Sequence, residues 1–233
     1  MIAPLFDDLI REARALVREA VPLPTQSWRD AGRQNLVLQS EMAYELGAGR
    51  LPAVSLFAAT AGDEIPLGDE ALLLGPDLCE MRDKGAYARI VLVRVESELW
   101  EDEAVLYNAL TRIRNARYSV NPEGYMPRID SSANREPIRV SRMALERGLS
   151  FAGVAGCYRD AYRRNREVLG TQQIFVTETG FDYTGLAEIA DRCDQVLRAL
   201  DHILKDFKMD CDSCGLQEIC GEVEGLRELH FRK

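Results

Sequence analysis

The sequence predicts an α+β fold, with helices packed on a mixed sheet in a single large domain and a short cysteine motif at the C-terminus. Three observations predict it. From Tyr183 to Phe207 the apolar residues Leu186, Ile189, Cys193, Val196, Leu200, Ile203 and Phe207 step by three and four, the period of an amphipathic helix. The run "ARIVLVRVESE" from Ala88 is almost continuously aliphatic up to Val95, as in a strand covered on both faces. The order of segments (helix, strands, helix, helices, strand, helix) is that of a layered domain.

The elements follow in order. Leu5 to Val21 reads as a helix, with Leu9, Ala13, Leu16 and Ala20 on one stripe and Pro22 and Pro24 as its stop. Thr25 to Gln34 is polar. Val54 to Ala59 and Ala71 to Leu74 are short apolar runs set off by Gly62–Asp63, Gly68–Asp69 and Gly75–Pro76, which predicts strands between turns. Trp100 to Tyr118 returns to helix, with Leu106, Leu110 and Ile113 as its stripe and Glu101 and Asp102 at the positive end of its dipole. Asn121 to Pro137 is a loop of unusual length, rich in Pro, Gly and Ser, and such loops inside compact domains tend to carry function. Ser141 is placed to cap a short helix ending near Gly148, and Ser150 to cap another running to about Val168. "QQIFVT", from Gln172 to Thr177, is the last strand.

Charge excludes some functions. The 233 residues carry a net charge of −9, which disfavours coating a nucleic acid. No apolar run reaches the roughly 20 residues that span a bilayer. The acidic start, with Asp7, Asp8 and Glu12, lacks the basic and apolar regions of a signal peptide. A soluble, cytoplasmic protein is the expectation. The charge is also uneven. Between Arg112 and Arg166 twelve arginines face five acids, Glu123, Asp130, Glu136, Glu146 and Asp160. Such a segment forms either solvated helix faces or an anion site and docking face for an acidic partner. Solvated faces are the default, and the coincidence of Arg128, Arg135 and Arg139 with the long loop or its edge adds weight to the second reading.

The tail contains "CDSCGLQEIC". Its spacing, C-x2-C-x5-C at Cys211, Cys214 and Cys220, brings three thiolates toward one coordination sphere. Iron–sulfur is preferred to zinc. The fourth ligand is open: His230 would complete a Cys3His zinc site, and Glu224, an external ligand or a cysteine of a second subunit would serve a cluster. A set of metal-free buried thiols and a redox disulfide between Cys211 and Cys214 are the remaining alternatives. Cys193 and Cys157 read as packing residues, Cys79 as surface and His202 as a solvated histidine.

Five stretches in register resemble one family. "MAYELGAGRLPAVSLF" (Met42 to Phe57), "LLLGPDL" (Leu72 to Leu78), Glu123–Gly124, "IRVSRMALERGLSF" (Ile138 to Phe151) and "QQIFVTE" (Gln172 to Glu178) resemble the middle domain of acetyl-CoA synthase. That enzyme is the beta subunit of the CO dehydrogenase/acetyl-CoA synthase complex. The resemblance covers about Ser40 to Lys208. It implies an α+β domain over 1–208 and a metal-binding tail over 209–233, in which Cys211 and Cys214 match the first cysteine pair of the family's nickel–iron–sulfur centre and Cys220 its third cysteine. The later Cys-Gly-Cys motif that holds nickel in the family is absent from this sequence, so a full active site is not expected from these residues alone. The resemblance further implies coenzyme A binding in the loop Tyr125 to Arg139, through Arg128, Arg135 and Arg139, although the family's loop tryptophan has no counterpart here. An accessory subunit of one-carbon metabolism in anaerobic organisms follows, meeting CO dehydrogenase/acetyl-CoA synthase or corrinoid-protein subunits, with a homodimer sharing one cluster as a variant. The alternative is a non-catalytic, zinc-stabilised interaction module held by Cys211, Cys214, Cys220 and His230.

Overall fold

In the computed structural model, residues 6–128, 130, 132 and 134–204 are described, the last three by backbone alone. Cys211, Cys214, Cys220 and His230, the 209–233 tail and the final turn of the last predicted helix lie outside the described residues.

Among the described residues the central sheet has five strands: β1 (Val21–Pro22), β3 (Ala53–Thr60), β4 (Gly68–Leu74), β5 (Tyr87–Val95) and β8 (Val168–Val176). Their order is β1-β4-β8-β5-β3. β4 and β8 run parallel, as do β3 and β5, while β8 and β5 are antiparallel. The sheet is therefore mixed, as expected. The predicted runs at 54–59, 71–74 and 88–95 all lie in strands, and β3 is buried along its whole length. A second, antiparallel sheet was not expected. It consists of β2 (Met42–Leu46), β7 (Ile138–Ser141) and β6 (Tyr125–Pro127), in the order β2-β7-β6.

The helices are α1 (Asp7–Leu16), α2 (Glu103–Asn115), α3 (Arg142–Glu146), α4 (Phe151–Tyr162) and α5 (Tyr183–Leu204). Ser141 and Ser150 cap α3 and α4 as expected, each accepting a backbone N–H three residues on. Asp102 caps α2 by accepting from Ala104 and Val105. Three predicted helices are shorter in the structure. α2 covers Glu103–Asn115 of the expected Trp100 to Tyr118, with tight turns over Ser97–Glu101 and Ala116–Ser119 on either side. α1 stops well before Pro22 because Val21 and Pro22 pair with the edge of β4. α4 stops at Tyr162, and Val168, expected to end it, instead opens β8 opposite Val95. Gly170 explains part of this: a Cβ there would lie 2.5 Å or less from the carbonyl oxygens of Pro66 and Gly68, so the close strand approach requires glycine.

The two faces of the central sheet differ. On one, the register sets Ser55 beside Arg89, Arg89 beside Phe175 and Val91 beside Gln173. α4 covers this face. Its Phe151 stacks on Phe175 at 4.6 Å between ring centres, and its Ala155 carbonyl accepts from Gln173 Nε2. On the other face Val54, Leu56, Ala58, Ile90 and Leu92 are buried. There the Thr60 hydroxyl bonds Asp7 of α1, and both α1 and α5 pack on β3. Leu186, Ile189, Cys193, Val196 and Leu200, the predicted stripe of α5, are all buried. Among the described residues no helix is long and apolar enough to cross a membrane.

Candidate functional site: an arginine-lined pocket

The long predicted loop is a hairpin connection. β6 and β7 pair antiparallel, and residues 128–137 join them. Gly124 opens the hairpin at φ +78°, and a Cβ there would lie 2.2 Å from Ala144 Cβ, so α3 can sit against this turn only with glycine. From the small sheet the connection crosses to the outer edge of β3. Ser55 N–H donates to the Asn134 carbonyl at 2.8 Å, and Glu136 N–H donates to the Ala53 carbonyl at 2.9 Å. The open edge of the central sheet is thus partly covered. Asn134 also donates to Asp191 Oδ1 and to the Ala190 carbonyl of α5, at 2.8 and 3.2 Å.

Pinned in this way, Glu136 turns its side chain inward. Arg89 Nη2 lies 3.0 and 3.1 Å from its two carboxylate oxygens. Arg117 Nη1 lies 3.6 Å from Oε2 on another side. Ser55 Oγ accepts from Arg117 Nη1 at 2.9 Å and donates to Glu136 Oε2 at 3.3 Å. The Arg89 guanidinium rests on the Tyr158 ring, 4.1 Å from its centre, and the Tyr87 and Tyr125 hydroxyls pair at 2.6 Å nearby. Arg89 is 1% exposed. Burial works to lower its pKa, but the Glu136 carboxylate and the surrounding phenols outweigh burial and raise it well above the usual value, so the guanidinium stays charged. Burial itself pushes the pKa of Tyr158 and Tyr125 well up, which keeps both phenols neutral.

Among the described residues the guanidiniums of Arg89 and Arg117 both pair with the Glu136 carboxylate. Buried ion pairs are costly to desolvate and contribute little stability over an apolar core. Arg89 Nε and Nη1 have no hydrogen-bond partner among the described residues, which adds to that cost.

Above the cluster opens a pocket of about 280 Å³. Arg117 and Glu136 form part of its lining, with Tyr118, Asn121, Arg128 and Arg135 among the other lining residues. Arg117 reaches it because α2 ends at Asn115 and a tight turn over Ala116–Ser119 swings its side chain back to β3. Tyr118, 60% exposed, lies against Arg117, with its ring centre 4.7 Å from the guanidinium carbon and its hydroxyl accepting from Nη2 at 2.6 Å.

Of the arginines singled out in the sequence, Arg128 and Arg135 come together here. Each also has work elsewhere. Arg128 pairs with Glu45 of β2. Arg135 pairs with Asp130 at 2.7 Å and donates to the carbonyls of Gly47 and Gly49 at 2.9 and 2.8 Å, fastening the turn after β2. Arg139 is not among the lining residues; it lies on β7, 3.6 Å from Glu45. Arg89, Arg117, Tyr118 and Glu136 are not singled out by the sequence. The available signal was Arg89, a full charge inside a run that otherwise reads as buried on both faces.

Most of the basic segment is paired. Arg112 meets Glu167, Arg114 meets Asp194, Arg147 meets Glu123 and Arg163 meets Asp69. Among the described cysteines, Cys79 is exposed while Cys157 and Cys193 are buried, as expected. Burial pushes the Cys157 thiol up to about 11 and the Cys193 thiol up to about 12. Among the described residues no group of three or more His, Cys, Asp or Glu gathers in a metal-binding arrangement. The metal expectation therefore rests on the tail. No model of a known protein family matches the chain, and no curated protein compared with it matches either.

Proposed function

We propose that the chain is an acetyl-CoA-synthase-like accessory protein of the CO dehydrogenase/acetyl-CoA synthase system. In this reading it binds coenzyme A at the arginine-lined pocket and carries an iron–sulfur centre on Cys211, Cys214 and Cys220. The observation that carries the reading is the pocket itself, where Arg117, Arg128 and Arg135 are brought together in one lining. Guanidinium groups suit a phosphate-bearing ligand because their planar fork donates in pairs. At about 280 Å³ the pocket is smaller than the roughly 300–1,000 Å³ typical for drug-sized ligands. It fits one charged end of coenzyme A, with the rest of the ligand outside. The three thiols of the tail fit the donor set of an iron–sulfur centre, which would supply electron transfer when bound. Coenzyme A would be held by the chain's own arginines, and CO dehydrogenase/acetyl-CoA synthase or corrinoid-protein subunits would be its partners.

Two measurements test the reading. Coenzyme A titrated by calorimetry should bind, and binding should weaken with salt. Protein purified without oxygen should contain iron and acid-labile sulfide. A colourless protein that contains zinc, loses it on His230→Ala and does not bind coenzyme A would instead establish the interaction module.

A further inference from the structure

We propose that a second pocket, framed by β4, β8, α4 and residues 23–26, binds a small amino acid, with the ammonium group on Gln173 and Asp69 and the carboxylate on Arg159. Among the described residues it shares no lining residue with the arginine-lined pocket, and it stands independently of the function proposed above.

The pocket has a volume of about 120 Å³, about four times a water molecule's share of the liquid. Its floor is a patch of the central sheet, where the register sets Asp69 beside Thr171 and Ala71 beside Gln173. α4 forms one wall with Ala152, Ala155, Gly156 and Arg159, and residues 23–26 form the other. That second wall is held at both ends. Leu23 N–H donates to the Ala71 carbonyl at 2.8 Å, and Gln26 Oε1 accepts from Ser150 Oγ at 2.6 Å. Gly156 lets the walls meet, since a Cβ there would lie 2.2 Å from the Gln26 carbonyl oxygen.

Three polar side chains of this lining have bonding capacity left. Gln173 is 1% exposed, and its Nε2 donates to the Ala155 carbonyl at 3.1 Å, which fixes the amide. Its Oε1 then has no hydrogen-bond partner among the described residues, and a buried acceptor in that position calls for a donor. The Asp69 side chain is 8% exposed. It accepts from Thr171 Oγ1 at 2.8 Å and from Arg163 Nε, and an ionised carboxylate has room for more than two donors. Arg159 uses Nε on Asp160 at 3.2 Å, and its Nη2 lies 3.9 Å from the place of a Cβ on Gly156. Glu70 also lines the pocket, but strand alternation turns its carboxylate to the opposite face, where it accepts from Gln172 Nε2 at 2.7 Å. Acceptors on the floor and a guanidinium on the wall suit one molecule that carries a cationic donor and an anionic acceptor a few bonds apart. The ammonium group of an amino acid supplies Gln173 and Asp69, and its carboxylate takes the fork of Arg159. A bare amine would leave Arg159 unused, and a bare carboxylate would leave Gln173 without its donor. The small volume, walled by Leu23, Pro24 and Ala152, limits the ligand to a short side chain.

Glycine titrated into the full chain by calorimetry tests this, with methylamine and acetate as its two halves. Glycine should bind at millimolar concentration or below, and each half should bind at least about tenfold more weakly. Arg159→Gln should weaken glycine by about tenfold or more, with Arg159→Lys falling between it and wild type. Asp69→Asn should weaken glycine and methylamine together. If Asp69→Asn does not fold, as judged by circular dichroism, the Arg159 variants decide alone. Absence of glycine binding to wild type means that only water fills the pocket and overturns the proposal. Equal glycine affinity in wild type and Arg159→Gln overturns it too, as does methylamine or acetate binding as tightly as glycine.

Discussion

The central sheet puts two different chemistries back to back on the same strands. On the face under α1 and α5, β3 and β5 present Val54, Leu56, Ala58, Ile90 and Leu92, and the packing is apolar. On the face under α4 the same two strands present Ser55 and Arg89, and the hairpin connection sends in Glu136 to meet them. The alternation of side chains along a strand allows this, because neighbouring residues serve opposite faces. Stability argues for the first face. The second gains little from its ion pairs, and two of its members, Arg117 and Glu136, line the pocket. Apolar packing holds the strands in place, and the strands hold the guanidinium in place.

The sharpest way to break this comparison is Glu136→Met, which takes the carboxylate from both Arg89 and Arg117. Leaving buried charges without their partner typically costs about 3–5 kcal/mol. Urea denaturation should show a loss of that size, and a loss under about 1 kcal/mol would mean that the cluster is solvated. Next, Leu56→Ala on the apolar face should cost about 2–5 kcal/mol through lost burial and the cavity left behind. Unlike a change at Glu136, which lines the pocket, it should leave coenzyme A binding unchanged, and a parallel loss of affinity would show that the faces are coupled. Third, Asn134→Ala removes the hydrogen bonds from the connection to α5 and should cost about 1 kcal/mol. Hydrogen exchange should rise at Ser55 N–H, which donates to the Asn134 carbonyl, and protection equal to wild type would show that the side chain does not hold the connection. The smallest effect concerns thiols. Since burial raises Cys157 and Cys193 well above an ordinary thiol, alkylation at pH 8 followed by peptide mapping should modify Cys79 long before either. Equal rates would show that the helix–sheet interfaces open readily.

Elements with a strong local signature were legible in the sequence. α5 carries its period over six turns, α3 and α4 have serine caps, and β3 and β5 are mostly apolar runs. The small sheet was not legible, because "YMP" and "IRVS" are too short to show alternation and their pairing brings together residues distant in sequence. The end of α4 was misread because the arginine-rich stretch after Tyr162 suits a helix, whereas strand pairing with β5 claims Val168. At the site, Arg128 and Arg135 could be found as loop arginines. Arg117 was missed although it continues the stripe of Leu106, Leu110 and Ile113, because an arginine at the end of a predicted helix reads as solvated, and it is the turn after Asn115 that directs it to Ser55. Glu136 looked like one acid among many arginines, and its role comes from its docking on β3.

β8 is the last strand among the described residues, yet it lies between β4 and β5. During synthesis, β4 and β5 are both made well before residues 168–176 leave the ribosome. Until then each has an unpaired inner edge, and most of the sheet's contacts must wait. Joining of the sheet depends on the late arrival of one segment, so a nascent chain stopped before Val168 would expose two sticky edges at once. Folding of this domain should accordingly be slow for its size and sensitive to chaperones, and its C-terminal third should control whether the rest remains soluble.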